Sequence, residues 1–212
     1  MLDGTFNESM KNEKKKSPAD VVAPSTRDQI LEAATHFFAT EGYANVSMRS
    51  LAADVGINPA TLYHHFKDKQ ALYTEIMQSV YKQFAETFEM ELKADQPPEV
   101  KIALYVRAFC SFASKNITYV KLIKRCQLEK DSSALNLFAD DASRRQINTC
   151  QSIMRRLRPD LDPYFATMAL HGIVLHHYES MESARGKHGW KKAQEDPGKL
   201  ADFVLQVLLP ST

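Results

Sequence analysis

Residues 47–66 read SMRSLAADVGINPATLYHHF, and they hold two short helical patterns separated by a glycine. Ser47 is a preferred helix-capping residue and predicts a helix over residues 48–55. Asn58 predicts a second helix over residues 59–66, which begins with a proline that loses no hydrogen bond there. Two short helices joined by a tight turn that contains glycine predict a helix-turn-helix, the motif whose second helix enters the major groove of DNA.

The second helix of this motif has a distinctive outer face. Leu62 and Phe66 lie four residues apart and are expected to face inward. The other side carries small, hydroxyl-bearing and aromatic side chains, whereas a purely structural helix more often carries lysine and glutamate. These outer residues are Pro59, Ala60, Thr61, Tyr63, His64 and His65. Such a surface suits contact with a DNA groove, where base edges are accessible.

Helices are also predicted on both sides of the motif. Ser25 and Asp28 form a capping-box pattern, and the helix that they open is expected to end at Gly42. Asp68 is expected to cap a fourth helix, which has apolar residues at four-residue steps and reaches about Ala94. This fourth helix is long enough to leave the first domain and enter a second one.

The rest of the chain continues the helical pattern. Apolar residues recur at helical spacing over residues 102–109, 117–123, 135–157, 164–184 and 200–208. Proline and glycine separate these stretches, and no strand pattern of useful length interrupts them. The sequence therefore predicts an all-α protein of about nine helices. Its expected parts are a disordered tail over residues 1–24, a helix-turn-helix domain over residues 25–75 and a second helical domain over residues 76–212.

Residues 26–76, TRDQILEAATHFFATEGYANVSMRSLAADVGINPATLYHHFKDKQALYTEI, resemble the DNA-binding domain of the TetR family of bacterial regulators. The family pattern F…GY…S…LA…GI…TLY.HF..K..L occurs there without gaps, and the resemblance covers about a quarter of the chain. It implies a three-helix DNA-binding domain. It also implies that the second domain binds a small effector between its helices and pairs with a second copy of the chain.

The resemblance also implies which residues contact DNA. Arg49 is expected at a phosphate or a guanine edge, while Tyr63 and Lys69 are expected at backbone phosphates, the lysine beside a helix N-terminus. Pro59 and Ala60 offer only apolar contact, for instance to a thymine methyl group. The full set of expected DNA contacts is Thr26, Arg27, Met48, Arg49, Pro59, Ala60, Thr61, Tyr63, His64, His65 and Lys69.

The candidate effector site consists of aromatic or polar residues inside otherwise apolar helices. Core packing is the alternative role for each of them. They are Tyr105, Phe109, Cys126, Phe138, Gln151, His171, Leu175 and Tyr178. Their mixture suggests a largely apolar ligand with a polar end.

The expected dimer contact lies on the last two helices. The final helix carries a continuous apolar stripe formed by Leu200, Phe203, Val204, Val207 and Leu208. The helix before it offers Ala169, Gly172 and His176 near one face, where the small residues permit close approach. Two operator half-sites one turn of double-stranded DNA apart require two recognition helices about 34–36 Å apart, so a homodimer is expected.

Charge alone does not indicate a nucleic-acid partner. The chain has 27 lysine and arginine residues against 26 aspartate and glutamate residues. Residues 25–75 contain four basic and six acidic side chains, so DNA binding by this domain requires its charges to lie on different faces. The lysines at 14–16 lie among acidic residues, which favours a solvated tail over a DNA-binding arm.

Other classes of protein find little support. Cys110, Cys126 and Cys150 are widely spaced and predict buried free thiols, with a redox sensor at Cys126 as the weaker alternative. The histidines at 64–65 and 171–177 lack the spacing of metal ligands. The sequence contains no HExxH motif, no glycine-rich phosphate loop and no nucleophile paired with a base. We therefore expect no enzymatic activity, no metal and no cofactor.

The expected location is the cytoplasm, because the sequence shows neither a signal peptide nor an apolar run long enough to span a membrane. The expected function is transcriptional regulation, most often by a repressor that a small effector releases from a palindromic operator. The alternative is a DNA-binding protein that acts through a protein partner in chromosome or division control. One operator beside the protein's own gene favours the first, and many scattered sites favour the second.

Overall fold

A computed structural model of the chain describes residues 24–93, 95–128, 141–187 and 189–209. These residues form nine α-helices and a short 3-10 helix, and they contain no strand. The helices are α1 (Thr26–Glu41), α2 (Met48–Val55), α3 (Pro59–His65), α4 (Lys69–Lys93), α5 (Pro98–Lys115), α6 (Ile117–Leu128), α7 (Asp141–Leu157), α8 (Pro163–Ala184) and α9 (Pro197–Leu208), with the 3-10 helix at Lys192–Glu195. The predicted all-α fold is confirmed.

The expected caps of the first three helices are present. The Ser25 hydroxyl accepts from the backbone N–H of Asp28, whose carboxylate accepts in return from the N–H of Ser25. Ser47 caps α2 in the same way, with Ser50 as its reciprocal partner. Gly56 ends α2 in the left-handed conformation, with φ at 74°, which a side chain would disfavour. The turn between α2 and α3 is therefore fixed by local hydrogen bonds.

The described chain has two apolar cores, and α4 contributes to both. The first core joins α1, α2, α3, the start of α4 and one face of α6. The second joins the end of α4 to α5, α7, α8 and α9. On α4, Leu72 and Ile76 lie in the first core, whereas Phe88 lies in the second. The long helix therefore connects the helix-turn-helix to the second group of helices.

Helix α5 is the central element of the second core, because it packs against α4, α6, α7, α8 and α9. Its residues Ile102, Tyr105, Val106 and Phe109 are almost completely buried. Helix α6 packs on α1 as well as on α5 and α8. It is thus a second connection between the two cores.

Two boundaries differ from the sequence prediction. Pro197 and Gly198 were expected in a loop but form the first turn of α9, because the Asp196 carboxylate accepts from the backbone N–H groups of Gly198 and Lys199. Helix α3 ends at His65, one residue early, with Phe66 as its C-terminal cap. Helix α7 begins at Asp141 in the described chain, so the predicted stretch over residues 135–140 lies outside the described residues.

Candidate nucleic-acid interface and effector site

Helix α3 is held to the protein by one side only. Leu62 is fully buried, and Phe66 just beyond the helix is almost as buried. On the opposite side Pro59, Ala60 and His64 are exposed, and the side chain of Tyr63 is 53% exposed. Thr61 and His65 are partly exposed at the edges of this surface. The outer face anticipated from the sequence is thus presented to solvent on a helix anchored by two apolar side chains.

The two residues that open α2 differ in environment. Arg49 is exposed, as a DNA contact requires. Met48 is only 8% exposed and belongs to the first apolar core. The expectation that Met48 faces DNA is therefore wrong for its side chain, because Met48 packs in the first apolar core while its neighbour Arg49 is exposed.

Arg27 is engaged within the protein. Its guanidinium forms an ion pair with Glu75 on α4 at 2.6 Å and lies over the ring of Phe66, 5.0 Å from the centroid. This arrangement ties the start of α1 to α4 directly behind the recognition helix. Arg27 is nevertheless exposed, so its contact with DNA stays a prediction. Thr26, beside it, is partly exposed.

Lys69 is likewise anchored inside the domain. Its Nζ donates to the backbone carbonyls of Tyr43, at 2.8 Å, and Val46, at 2.9 Å, and lies 4.3 Å from the centroid of the Tyr43 ring. These contacts fasten the turn before α2 to the first turn of α4. Two of the three ammonium donors are therefore occupied, and one is left for the phosphate contact that the resemblance implies.

A cluster of polar side chains lies inside the second core. The Nδ1 of His171 lies 2.8 Å from the carbonyl of Thr167, and its Nε2 lies 2.7 Å from the Tyr105 hydroxyl. Burial lowers the pKa of His171, which favours the neutral ring. A carbonyl can only accept, so Nδ1 carries the proton and Tyr105 donates to Nε2. Gln146 in turn donates to the Tyr105 hydroxyl at 2.9 Å. We call Tyr105, Gln146 and His171 the Tyr105 cluster.

Aromatic rings surround the Tyr105 cluster. Phe109 packs against the His171 ring with centroids 5.3 Å apart, and Phe88 packs against Tyr105 at 5.0 Å. Burial raises the pKa of the Tyr105 hydroxyl, which therefore stays protonated as a hydrogen-bond donor. The Tyr105 cluster is thus a series of hydrogen-bonded side chains inside an otherwise apolar environment. Such an environment suits a ligand with an apolar body and a polar group.

The other predicted effector residues are scattered. Leu175 and Tyr178 on α8 pack in the second core, whereas Cys126 belongs to the first core. The expectation that Cys126 shares one cavity with Tyr105 is therefore wrong, because α6 turns this side chain toward the helix-turn-helix. Gln151 is partly exposed on α7. Phe138 lies outside the described residues.

Gln146 was missed by the sequence prediction. Along α7 the buried residues include Gln146, Cys150, Ile153 and Met154. Gln146 is four residues before Cys150 and shares its face, whereas Gln151 is rotated by about 100° from Cys150. The helical period of α7 was therefore sufficient to identify the buried glutamine.

An open cleft with a volume of about 670 Å³ lies away from the Tyr105 cluster. It runs between α1, α4 and the turn that joins α5 to α6. None of the predicted effector residues lines it. In the Tyr105 cluster, Tyr105 and Gln146 are buried and His171 is partly buried, so a ligand that reached Tyr105 would have to separate helices α5, α7 and α8.

The three cysteines are buried free thiols, as predicted. Burial raises the pKa of Cys110 and of Cys150 to about 12. Thiols with raised pKa are poor nucleophiles at neutral pH because little thiolate forms. The environment of these two thiols is therefore unfavourable for a redox sensor.

Replacing His171 with Gln is expected to reduce the loss of stability on acidification. Because burial lowers the pKa of His171 in the folded state, the unfolded chain takes up a proton on this residue first as the pH falls below about 6.5. The wild-type free energy of unfolding should then fall more steeply from pH 7.5 to pH 5.5 than that of His171→Gln, by up to about 1.4 kcal/mol per pH unit. Urea unfolding at several pH values measures the difference.

His176→Gln is the control for this prediction, because His176 lies on the same helix but is exposed. It should retain the wild-type dependence on pH. Identical slopes for His171→Gln and the wild type would contradict the burial of a neutral imidazole at this position.

An apolar surface is exposed on α8 and α9. Phe165 on α8 is 70% exposed, and Ala169 and Gly172 follow it on the same exposed side of the helix. On α9 the exposed side carries Phe203 and Val207, while Leu200, Val204 and Leu208 are buried in the second core. The predicted stripe on α9 thus divides into a buried part and an exposed part. Large apolar groups exposed together are typical of an interaction surface.

Helix α6 is attached by charged groups on two sides. The Nε of Arg125 donates to the carbonyl of Ala39 at 2.7 Å, and its Nη2 donates to the carbonyl of Thr40, both in the last turn of α1. On the other side Lys121 pairs with Glu182 of α8 at 2.7 Å, and Lys124 approaches Glu179 at 3.7 Å. The Lys121 ammonium lowers the pKa of Glu182. Helix α6 is therefore bonded both to the DNA-binding domain and to α8.

Two absences hold for the described part of the chain. No group of three or more histidine, cysteine, aspartate or glutamate side chains is arranged there to hold a metal ion. No described helix combines the length and apolar character needed to cross a membrane.

Comparison with known sequences agrees with the geometry of the helix-turn-helix. The profile of "Bacterial regulatory proteins, tetR family" matches residues 30–76. The HTH-type transcriptional regulator UidR of Escherichia coli strain K12 is 42% identical over 55 residues, which cover 26% of this chain and 28% of UidR. The matched stretch thus spans little more than a quarter of that relative's length.

Comparison with solved structures extends the similarity to nearly the whole fold. The ketosteroid transcriptional regulator KstR2 of Mycobacterium tuberculosis aligns with a TM-score of 0.73 at 19% identity, over 90% of this chain and 98% of that chain. The transcriptional regulator FadR of Bacillus subtilis, in complex with stearoyl-CoA, aligns with a TM-score of 0.64 at 19% identity, over 85% of this chain and 96% of that chain. Residues 30–76 thus match the tetR family of bacterial regulatory proteins, and the described chain shares its helical fold with these solved regulators.

Proposed function

We propose that the chain is a homodimeric, sequence-specific DNA-binding regulator. It acts as a repressor that a small effector releases from a palindromic operator. The observation that carries this proposal is the outer face of α3. Tyr63, Ala60 and His64 are exposed there on a helix fixed by Leu62 and Phe66. An isolated exposed tyrosine needs no explanation, but this row lies on the second helix of a helix-turn-helix, the element that reads base edges.

The residues around α3 have different proposed roles. Thr61 and Arg49 are proposed to read bases, since a hydroxyl group and a guanidinium can both hydrogen-bond to base edges. Tyr63 and the remaining donor of Lys69 are proposed to bind phosphates, which fixes the register on DNA without reading sequence. Lys67, exposed in the turn after α3, is a further candidate for a phosphate contact, although the sequence prediction did not include it.

The proposed dimer uses the exposed apolar surface of α8 and α9. Phe203 and Val207 on α9 are about half exposed, and Ala169 and Gly172 on α8 allow a partner helix to approach closely. A two-fold axis through this surface makes the same residues meet on both subunits, as in most homodimers. It also supplies the two recognition helices that a palindromic operator requires.

The proposed effector is an acyl thioester or a related amphiphile. Its apolar part suits the aromatic surroundings of Phe88 and Phe109, and its carbonyl would accept the Tyr105 hydroxyl proton in place of the Nε2 of His171. The FadR structure similar in fold holds stearoyl-CoA, and the KstR2 structure is that of a ketosteroid regulator. A stearoyl chain and a ketosteroid are both large and apolar, which supports an effector with a large apolar body.

The proposed release is a shift between two states of the dimer. An effector that reached the Tyr105 cluster would separate α5, α7 and α8, since Tyr105 and Phe109 are fully buried. Helix α6 contacts both α5 and α8, and Arg125 bonds it to the end of α1. Movement of α6 would therefore displace one recognition helix relative to the other. An effector that favours the displaced state lowers the affinity for the operator.

The test of the proposed function is capture of genomic DNA fragments by the purified full chain at moderate salt, followed by sequencing. We expect one or a few palindromes. Thr61→Ala should change the preference among operator variants, whereas Tyr63→Phe should weaken binding to all of them about equally, because it removes one phosphate hydrogen bond. Fluorescence titration of the captured palindrome and its single-base variants gives both results.

Three results would overturn parts of this proposal. Broad capture without a motif would favour the alternative role in chromosome organisation through a protein partner. Absence of capture would show that the domain has no useful affinity for DNA. A change of base preference in Tyr63→Phe would contradict its assignment to phosphate.

A further inference from the structure

The outer face of α7 concentrates positive charge. Arg144, Arg145, Arg155 and Arg156 are all exposed, and we call them the arginine face. Residues 144–157 contain no aspartate or glutamate, and none of the four arginines forms an ion pair with another described residue. Like charges gathered on one helix repel each other and destabilise it slightly. An anionic partner would offset this repulsion.

One end of the arginine face borders a small pocket. The pocket has a volume of about 180 Å³ and lies between α7 and the start of α5. Its lining includes Lys101, Arg156, Ser152 and Gln96, which bring an ammonium, a guanidinium, a hydroxyl and an amide to one place. These are the groups that bind phosphate oxygens in proteins. At about 30 Å³ per water molecule, the pocket has room for a diphosphate group.

The opposite face of α7 belongs to the proposed effector site. Gln146 and Cys150 are buried there, and Gln146 donates to the Tyr105 hydroxyl. One helix, about 10 Å across, therefore separates the Tyr105 cluster from the arginine face. A ligand with an apolar part and a phosphorylated part could contact both sides of α7 by passing around it.

We propose that the pocket between α5 and α7 binds the phosphate groups of a phosphorylated small molecule, with Lys101 and Arg156 as its charged ligands. That this molecule is also the effector rests on the proposed function. DNA is the less favoured occupant, because α7 and the recognition helix lie at opposite ends of α4. Helix α7 packs on α4, α5 and α8, whereas the recognition helix packs on α2.

The test compares two probes that differ in phosphate content. Coenzyme A carries phosphates and an adenosine, and pantetheine carries the same thiol arm without either, so the Lys101 and Arg156 variants separate the phosphate contribution from that of adenosine. Isothermal titration of the full chain, with no DNA present, should show coenzyme A binding at least about 10-fold more tightly than pantetheine, since charge-assisted hydrogen bonds supply the difference. Lys101→Gln and Arg156→Gln should each remove most of this preference.

Arg155→Gln is the matched control. It removes the same charge from the next residue of α7, but Arg155 does not line the pocket. It should change the affinity for coenzyme A less than about 3-fold, which is the effect of a long-range charge in water at moderate salt. Thermal melting of all three variants checks that the fold is retained.

Three results would overturn the inference. Equal binding of coenzyme A and pantetheine by the wild type would show that the pocket gives no phosphate affinity. An equal loss in Arg155→Gln and Arg156→Gln would show a diffuse charge effect without a built site. If Arg156→Gln instead weakened binding to operator DNA as much as Tyr63→Phe, with unchanged coenzyme A binding, the arginine face would be assigned to DNA. Since the titration contains no DNA, failure of the proposed release mechanism leaves its outcome unaffected.

Discussion

Replacing both Phe203 and Val207 with Asp is expected to convert the dimer to monomers and to lower operator affinity by more than about 100-fold. The two side chains lie one turn apart on α9 and are 53% and 49% exposed. In the proposed dimer each subunit would place two carboxylates opposite the other subunit's pair at the two-fold axis. Burying unpaired charges of like sign costs several kcal/mol, which exceeds what the remaining contacts can offset.

The loss of DNA binding follows from the loss of the dimer. A monomer contacts one half-site with one recognition helix, so it forfeits about half of the base and phosphate contacts. Specific sites are bound about 10³-fold or more tightly than other DNA, and that advantage depends on both half-sites. Analytical ultracentrifugation measures the assembly, and titration of a captured palindrome measures the affinity.

The chain offers a closely matched control for this experiment. Val100 and Leu104 are also apolar, also one turn apart, and 40% and 42% exposed, but they lie on α5. Val100→Asp with Leu104→Asp introduces the same charge on a different surface and should leave both dimer and affinity nearly unchanged. A dimer that survives Phe203→Asp with Val207→Asp, or dissociates in the control, would place the interface elsewhere.

Local sequence rules predicted the framework well because the relevant physics is local. Ser25, Ser47 and Asn58 cap their helices through contacts within a few residues. Gly56 takes the left-handed conformation that ends α2. Each of these features depends on a short stretch of chain, so the residue types and their spacing suffice to predict it.

The errors arose where a side chain's role depends on a distant partner. The DNA contact assigned to Arg27 stays a prediction, but nothing in the sequence indicated its ion pair with Glu75, 48 residues away. Met48 was expected to face DNA from the family resemblance, but its side chain packs in the first apolar core. Arg125 was given no role from the sequence, since nothing local shows that α6 would reach the end of α1. Tertiary contacts of this kind leave no periodic signal.

Replacing Arg125 with Ala is expected to lower stability and to weaken the link between effector binding and DNA release. The last turn of α1 contains no basic residue of its own. Its carbonyls at Ala39 and Thr40 belong to the final turn, where a helix leaves acceptors without partners and carries partial negative charge. The Arg125 guanidinium satisfies both acceptors from α6. Its removal should cost about 1.5–3 kcal/mol, the usual value for hydrogen bonds from a charged donor.

The effect on stability should appear as a fall in Tm of about 3–12 °C, because 1 kcal/mol shifts Tm by about 2–4 °C in a chain of this size. Arg125→Lys should fall between the wild type and Arg125→Ala, since an ammonium retains the charge but lacks the planar fork that reaches two carbonyls. Arg107→Ala is the control. Arg107 forms an exposed ion pair with Asp202 between α5 and α9, and such pairs contribute little.

The effect on coupling is separate from the effect on stability. Operator affinity without effector should change less than about 3-fold, because Arg125 lies on α6 and away from α3. With stearoyl-CoA as the probe, the wild type should lose affinity by about 5–150-fold, the usual range of allosteric coupling. In Arg125→Ala that factor should fall toward one, since α6 can then move without displacing α1. The prediction is contradicted if Arg125→Ala melts like the wild type and releases the operator by the same factor. Helix α6 would then transmit its movement through apolar contacts with the first core and not through this guanidinium.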